Sequence, residues 1–277
     1  MFQLAASLAL IEGSEFKVAL ITNALGRYSV KRCFEIDKIL VLPSNLRVVS
    51  EQAGQLSFSN IISRSRLGLW CPFYGVNDRN FSAHLKRVGR CAVKDKLFLD
   101  GYFQRGWTFS QFDIARGLMA EMVTNIHPFL GKNNQGVVIH IRGGDYLTTE
   151  SARVVDSEYY RVSLEKIRLL NPEILRVTVV SDDMPYACAV IEAIRYRNPG
   201  LIFDFVPSSG GLAGASWISD FMLLRNAPAR IIGNSSFAWW AAALDANMSV
   251  TFSPSRWTVG FKRDLFLPWE RVIGSIE

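Results

Sequence analysis

The chain has 277 residues, of which 49% are hydrophobic, and a formal net charge of +6, so it is long enough for two domains and apolar enough for a sizeable core. No run of about 18 apolar residues occurs, which argues against a transmembrane span. The basic residues are dispersed, and even the segment around Lys86, Arg87 and Arg90 gathers few of them. Nucleic acid is therefore the weakest of the partners a basic chain would suit, behind an anionic nucleotide ligand and an anionic lipid surface.

Met1–Ile11 is apolar without a basic leader and reads as an amphipathic first helix, not a signal peptide. Phe16-Lys-Val-Ala-Leu-Ile-Thr22 follows as a strand, and Phe109–Thr124 as an amphipathic helix beginning near Ser110. The polar, glycine-flanked run Gly131-Lys-Asn-Asn-Gln-Gly136 divides an α/β half ending near residue 130 from a second one starting near residue 136. In the second half Ser157–Leu170 predicts a helix, Val177–Val180 a strand, Tyr186–Tyr196 a helix and Leu201–Val206 a strand. Strands alternating with helices imply a parallel sheet. The loop from Ser208 to Gly214 is glycine-rich, a composition that suits mobility better than a phosphate cradle. The cysteines Cys33, Cys71, Cys91 and Cys188 form no C-x-x-C pair, which speaks against zinc and a disulfide framework and fits a reducing compartment.

Three segments carry chemistry. In Gly136-Val-Val-Ile-His-Ile-Arg-Gly-Gly-Asp-Tyr146 a strand buried on both faces runs into a histidine, an arginine and an aspartate. Strand ends are where α/β proteins hold ligands, and Gly143 and Gly144 allow a tight exit. Arg142 is either a cation aimed at an anion or the partner of a turn aspartate. Val177-Thr-Val-Val-Ser-Asp-Asp183 delivers two adjacent carboxylates at a second strand end. They either accept from a base or sugar, or Ser181 or Asp182 caps the next helix. Because Asp182 and Asp183 are contiguous, a metal is disfavoured. In Arg230-Ile-Ile-Gly-Asn-Ser-Ser-Phe-Ala-Trp-Trp240 a short strand meets a polar turn and a helix. That is an anion site in outline, with a plain serine N-cap as the alternative, and Trp239 and Trp240 suit helix packing. Three polar strand ends in one half favour a shared ligand site.

In the order and combination of its motifs the chain resembles the bacterial α-1,2-fucosyltransferases of the lipopolysaccharide O-antigen type, which use GDP-fucose. The resemblance runs from Met1-Phe-Gln-Leu-Ala through Leu99-Asp-Gly-Tyr-Phe-Gln104, Ser157-Glu-Tyr-Tyr160 and Ser181-Asp-Asp183 to Asn234-Ser-Ser-Phe-Ala-Trp-Trp240. Two departures stand out. The family's H-x-R-R-x-D motif is met by His140, Arg142 and Asp145, but Gly143 replaces its second arginine, so one cation is missing. The family also opens on a strand and a G-G-x-G-N-Q turn before M-F-Q, whereas this sequence begins at Met1-Phe-Gln. The first strand of the N-terminal lobe is then missing, through an internal start or a natural truncation.

The resemblance implies an α/β fold of GT-B type, two Rossmann-like lobes with mainly parallel sheets. Residues 1–130 would be the acceptor-side lobe and 136–277 the GDP-fucose-binding lobe. It implies inverting transfer of L-fucose from GDP-fucose to the 2-hydroxyl of a galactoside in an oligosaccharide or lipid-linked surface glycan. No metal or other cofactor is expected. On the pattern of the related α-1,6-fucosyltransferases Arg142 clamps the diphosphate, His140 is a donor-site contact and Asp183 accepts from guanine. Asp182, Asn234, Ser235, Ser236 and Phe237 complete the donor site. Asp145 orients Arg142 or its loop, and Glu150, five residues on, is the candidate base. Tyr102 and Trp107 are candidate acceptor contacts, while Phe103 suits core packing. The N-x-S/T matches at Asn80, Asn234 and Asn247 are read as chance. The expected location is cytoplasmic, with peripheral contact at the inner membrane left open. Two alternatives remain: a catalytically silent GDP-sugar binder, and a nicotinamide-dependent oxidoreductase, against which stands the lack of a G-x-G-x-x-G after a strand.

Overall fold

Short aliphatic, β-branched runs become parallel strands in both halves of the chain. The computed structural model describes residues 1–11, 18–21, 38–42, 46–49, 73–77, 79–86, 96–100, 103–123, 136–152, 154–206 and 216–274. Tyr102, residues 131–135 of the expected link, Arg87, Arg90 and the glycine-rich loop at 208–214 lie outside them. The chain divides into two compact units, Met1–Thr124 and Asn125–Glu277.

The first unit begins with helix α1 (Phe2–Ile11) and has two parallel strand pairs. One joins β1 (Val18–Ile21) to β2 (Leu46–Val49), the other β3 (Phe73–Asn77) to β4 (Lys96–Asp100). Helices α2 (Phe81–Leu85) and α3 (Phe109–Met122) complete it. The expected amphipathic first helix is instead buried almost all round: Phe2, Leu4, Ala5, Ala6, Ser7, Leu8 and Ala9 are all in the core. Its one buried polar side chain is satisfied within the helix, where Ser7 Oγ donates to the Gln3 carbonyl at 2.8 Å. Helix α3 is amphipathic as its sequence predicts, burying Phe112, Ala115 and Met119, and it starts at a Thr108–Gln111 capping box.

The second unit holds a six-stranded, all-parallel sheet. Its chain order is β5 (Val137–Ile141), α4 (Ser157–Leu170), β6 (Arg176–Ser181), α5 (Met184–Arg195), β7 (Ile202–Phe205), α6 (Ser216–Arg225), β8 (Ala229–Ile232), α7 (Ser236–Ala243) and β9 (Val250–Pro254). A small antiparallel pair, β10 (Arg256–Thr258) and β11 (Phe261–Lys262), precedes the edge strand β12 (Glu270–Ile273). Across the sheet the order is β12-β9-β8-β5-β6-β7. Two strands, β6 and β7, thus run outward from β5 on one side, and the chain then returns to lay β8 on the other, which is the doubly wound Rossmann pattern. Side chains of Val137, Ile139, Val177, Val179 and Ile231 meet those of Leu164 and Ile191 in the core. An α/β chain with parallel strands in both units is the class expected of the GT-B type.

Two ion pairs are sealed in this unit. Arg230 meets Asp245 at 2.6 Å, and Arg263 meets Glu270 at 2.7 Å, all four side chains at most 2% exposed. Each carboxylate also accepts backbone or indole N–H groups: Asp245 from Asn247 and Ser249, Glu270 from Leu267 and Trp239. Such partners are what offset the desolvation of a buried charge.

Candidate functional site

The three polar strand ends singled out in the sequence fall on adjacent strands, since β5 lies between β8 and β6. Strands β5 and β8 flank the point where the winding reverses, and the crevice outside their carboxyl ends is where open α/β sheets bind ligands. His140 and Arg142 end β5, Asp182 and Asp183 follow β6, and Asn234 and Ser235 follow β8.

The β5 exit and the two aspartates form a clasp. Gly143 N donates to Asp182 Oδ1 at 2.9 Å and Gly144 N to Asp183 Oδ2 at 3.2 Å. A Cβ on Gly143 would stand 2.4 Å from Asp183 Cβ, and Gly144 has φ +51°, where a side chain is strained. A side chain at 143, where the family has its second arginine, would therefore require the Asp183 side chain to shift. Arg142 sits within the clasp, Nη1 at 2.5 Å from Asp182 Oδ2, its other arm on Asp145, and its guanidinium 4.8 Å from the Tyr146 ring centroid. Arg142 is thus ion-paired with the turn aspartate, as the plainer of its two readings has it, and with Asp182 as well.

Asp183 is the N-cap of α5, its Oδ1 accepting from Tyr186 N at 3.1 Å. The helix is capped, but by neither Ser181 nor Asp182; Ser181 Oγ instead accepts from Asp183 N at 3.0 Å. With one oxygen on the helix and the other on Gly144, Asp183 already serves the backbone, each oxygen keeping a further lone pair for another donor. Asn234 is likewise engaged. Its Nδ2 donates to the carbonyls of Ala152 at 2.9 Å and Trp257 at 2.8 Å, so its amide hydrogens belong to the fold and not to a phosphate. Ser235 is the buried N-cap of α7, as the plain alternative had it. Ser236 is exposed, and with the first-turn N–H groups of Ser236 and Phe237 it is what this turn offers an anion. Trp239 and Trp240 are buried in helix packing.

His140 is buried, and burial, then the neighbouring Arg142 charge, push its imidazole down to about 3. Its Nδ1 has no hydrogen-bond partner among the described residues. Its carbonyl accepts from Gly233 N at 3.2 Å and from Tyr160 Oη at 3.3 Å, which ties β5 to β8 and to α4. Its ring lies 6.0 Å from that of Phe237, which in turn packs edge-on to Phe221 of α6 at 5.4 Å. Glu150 is exposed on a single 3-10 turn, Glu150–Ala152, whose last carbonyl is the one Asn234 holds.

Trp107 is corrected from acceptor contact to core. It is buried, its Nε1 donates to the Phe103 carbonyl at 2.7 Å, and Phe81 and Phe112 pack edge-on to it at 4.8 and 5.6 Å. Phe103 is also in that core, as expected. Two features escaped the sequence reading. Tyr146 lies against Arg142, and its adjacency to Asp145 was the available signal. Asp220, beside Phe221 on α6, is half-buried, and burial raises its carboxyl to about 6; nothing in its sequence surroundings marks it. Among the described residues no three His, Cys, Asp or Glu side chains come together as metal ligands. No helix among them is long and apolar enough to cross a membrane.

Residues 76–264 match the protein-family profile described as Glycosyl transferase family 11. An Alpha-1,2-colitosyltransferase of Escherichia coli is 31% identical over 125 residues, which is 44% of this chain and 40% of that protein. The O-antigen biosynthesis glycosyltransferase WbnK of Escherichia coli is 25% identical over 254 residues, 83% of this chain and 80% of that protein. The first match therefore spans less than half of its relative, the second most of it. Among solved structures, the NodZ alpha-1,6-fucosyltransferase co-crystallized with GDP has a TM-score of 0.49 at 13% identity, over 87% of this chain and 86% of that one. Fucosyltransferase NodZ from Bradyrhizobium has a TM-score of 0.49 at 12% identity, over 87% of each chain.

Proposed function

Since the chain belongs to glycosyl transferase family 11, we propose that it moves L-fucose from GDP-fucose to the 2-hydroxyl of a galactoside in a surface glycan, with inversion. The observation that supports this reading best is that Arg142 and the first turn of α7 follow the carboxyl ends of the two adjacent strands where the sheet reverses. As the sugar leaves, negative charge grows on the diphosphate. A guanidinium and unpaired helix N–H groups, held in place beforehand, stabilise that charge without reorganising. His140, neutral at pH 7, meets the donor as a polar, uncharged group, and Glu150 takes the acceptor proton. The reading includes metal independence, with the cation of Arg142 in the part that a divalent ion plays elsewhere. It also includes a cytoplasmic location, with peripheral contact at the inner membrane where the acceptor is lipid-linked.

The test is a transfer assay on a galactose-terminated oligosaccharide with GDP-fucose, GDP-colitose, GDP-mannose and UDP-galactose. Transfer from GDP-fucose, undiminished by excess EDTA, is expected. Preference for GDP-colitose would make colitose the sugar transferred, as the name of the colitosyltransferase relative has it, and GDP binding without any transfer would leave a silent GDP-sugar binder. Arg142→Ala should lower transfer by on the order of 10²-fold. Its melt should change little, because both of its ion pairs are partly exposed. Near-parent transfer by the folded variant would remove Arg142 from the mechanism.

A further inference from the structure

The guanidinium of Arg142 is shared by two carboxylates that are held in different ways. Asp182 is anchored twice: one oxygen accepts from Gly143 N at 2.9 Å and the other meets Arg142 at 2.5 Å. It follows the last residue of β6 directly, and Ser181 there is in register with Ile141 of β5, so paired strands set its position. Asp145 stands on a single 3-10 turn, Gly144–Leu147, and its side chain is 41% exposed. Arg142 is the one partner of its carboxylate among the described residues.

One cation between two carboxylates carries a net charge of −1, which repels an incoming diphosphate. If one carboxylate leaves, the remaining pair is neutral, and the guanidinium regains N–H donors with the planar geometry that suits a phosphate. The carboxylate able to leave is the one without a second anchor.

We propose that Asp182 is the positioning residue that holds Arg142 for the donor, and that Asp145 occupies on Arg142 the place a diphosphate takes when it binds. This rests on the GDP-linked donor argued above. The two aspartates, three residues and forty residues along the chain from Arg142, then act on the same ligand with opposite sign. Asp145 competes with the diphosphate for Arg142. Asp182 orients the guanidinium and, through Gly143, the turn that carries it.

The experiment is calorimetric titration of GDP into the 277-residue protein, its Asp145→Asn and Asp182→Asn variants, Arg142→Ala, and each aspartate change combined with Arg142→Ala. Asp145→Asn should tighten GDP binding by roughly tenfold, and Asp182→Asn should weaken it by a similar factor. Both effects should vanish in the Arg142→Ala background, since each acts through that guanidinium. The asparagine at 182 keeps an acceptor for Gly143 N–H, and a thermal melt of each variant checks the fold. A merely structural role for either residue would weaken binding in step with the melt and could not tighten it. Weaker binding by Asp145→Asn, tighter binding by Asp182→Asn, or effects that persist without Arg142 would each overturn the inference while the wild type still binds GDP. Failure of the wild type to bind GDP would overturn the functional reading, and this inference with it.

Discussion

His140 shows how burial sets the chemistry of a single side chain. Its imidazole titrates near 6.5 in an unfolded chain and is pushed to about 3 in the fold, by burial first and the Arg142 charge second. The folded state therefore refuses a proton that the unfolded state accepts. Stability from this group is complete above pH 6.5 and falls by ~1.4 kcal/mol per pH unit as the pH drops towards 3. We expect the loss of stability between pH 7 and pH 5, measured by urea denaturation, to be about 2 kcal/mol smaller in His140→Asn than in the wild type. Equal losses in the two proteins would mean that His140 is protonated in the fold. The neighbouring glycine teaches a second lesson. Gly143 reads in the sequence as an absent arginine, yet its hydrogen bond to Asp182 and its closeness to Asp183 show a backbone position that two carboxylates have claimed.

The turn after β8 joins elements that are far apart in the chain. Asn234 reaches back 82 residues to the Ala152 carbonyl and forward 23 to that of Trp257. It thereby fixes the Glu150–Ala152 turn and β10 to the start of α7. Asn234→Ala leaves two carbonyls short of donors in a buried place, and about 1–3 kcal/mol of stability should go with them. Transfer should fall as well, because Asn234 holds the turn that carries Glu150 to the start of α7. Denaturation curves and steady-state kinetics on the one variant check both parts; full activity in a destabilised protein would separate Glu150 from the chemistry.

The second unit closes on its last strand. Glu270 begins β12, and its carboxylate pairs with buried Arg263, accepts from Leu267 N and takes the indole N–H of Trp239 on α7. Arg263 further lies 4.8 Å from the Trp257 ring and 4.6 Å from that of Phe266. One carboxylate thus ties the sheet edge, the loop after β11 and the helix that opens at the candidate site. Glu270→Ala strands a buried guanidinium and should cost about 3–5 kcal/mol. Against the 5–15 kcal/mol typical of whole domains this is large. We expect the urea midpoint to fall sharply and GDP binding to weaken as the start of α7 loosens. A variant as stable as the parent would show that Arg263 finds another partner or reaches solvent.

Much of this protein is written in local pattern. Apolar pattern is enough to place β5, β6 and β8 and to give α4 its observed bounds, because β5 and β8 are short runs buried on both faces and α4 buries one face at helical spacing. The motifs likewise named the segments that gather at one end of the sheet. No sequence pattern marks β2 to β4, α2, α6 or β9 to β12, which are short or lack a clear period. The first helix was misjudged, since apolarity all round marks burial on every side and two polar residues in ten look amphipathic. Within the candidate site, residue type announced polarity but not its recipient. Whether Asp183 caps a helix or meets a base, whether the Asn234 amide faces a ligand or two carbonyls, and which carboxylates hold Arg142 depend on partners up to 82 residues away. Strand pairing chooses those partners: it sets β6 and β8 on either side of β5, and hydrogen bonds between groups so distant in the chain leave no mark on the spacing of residues along it.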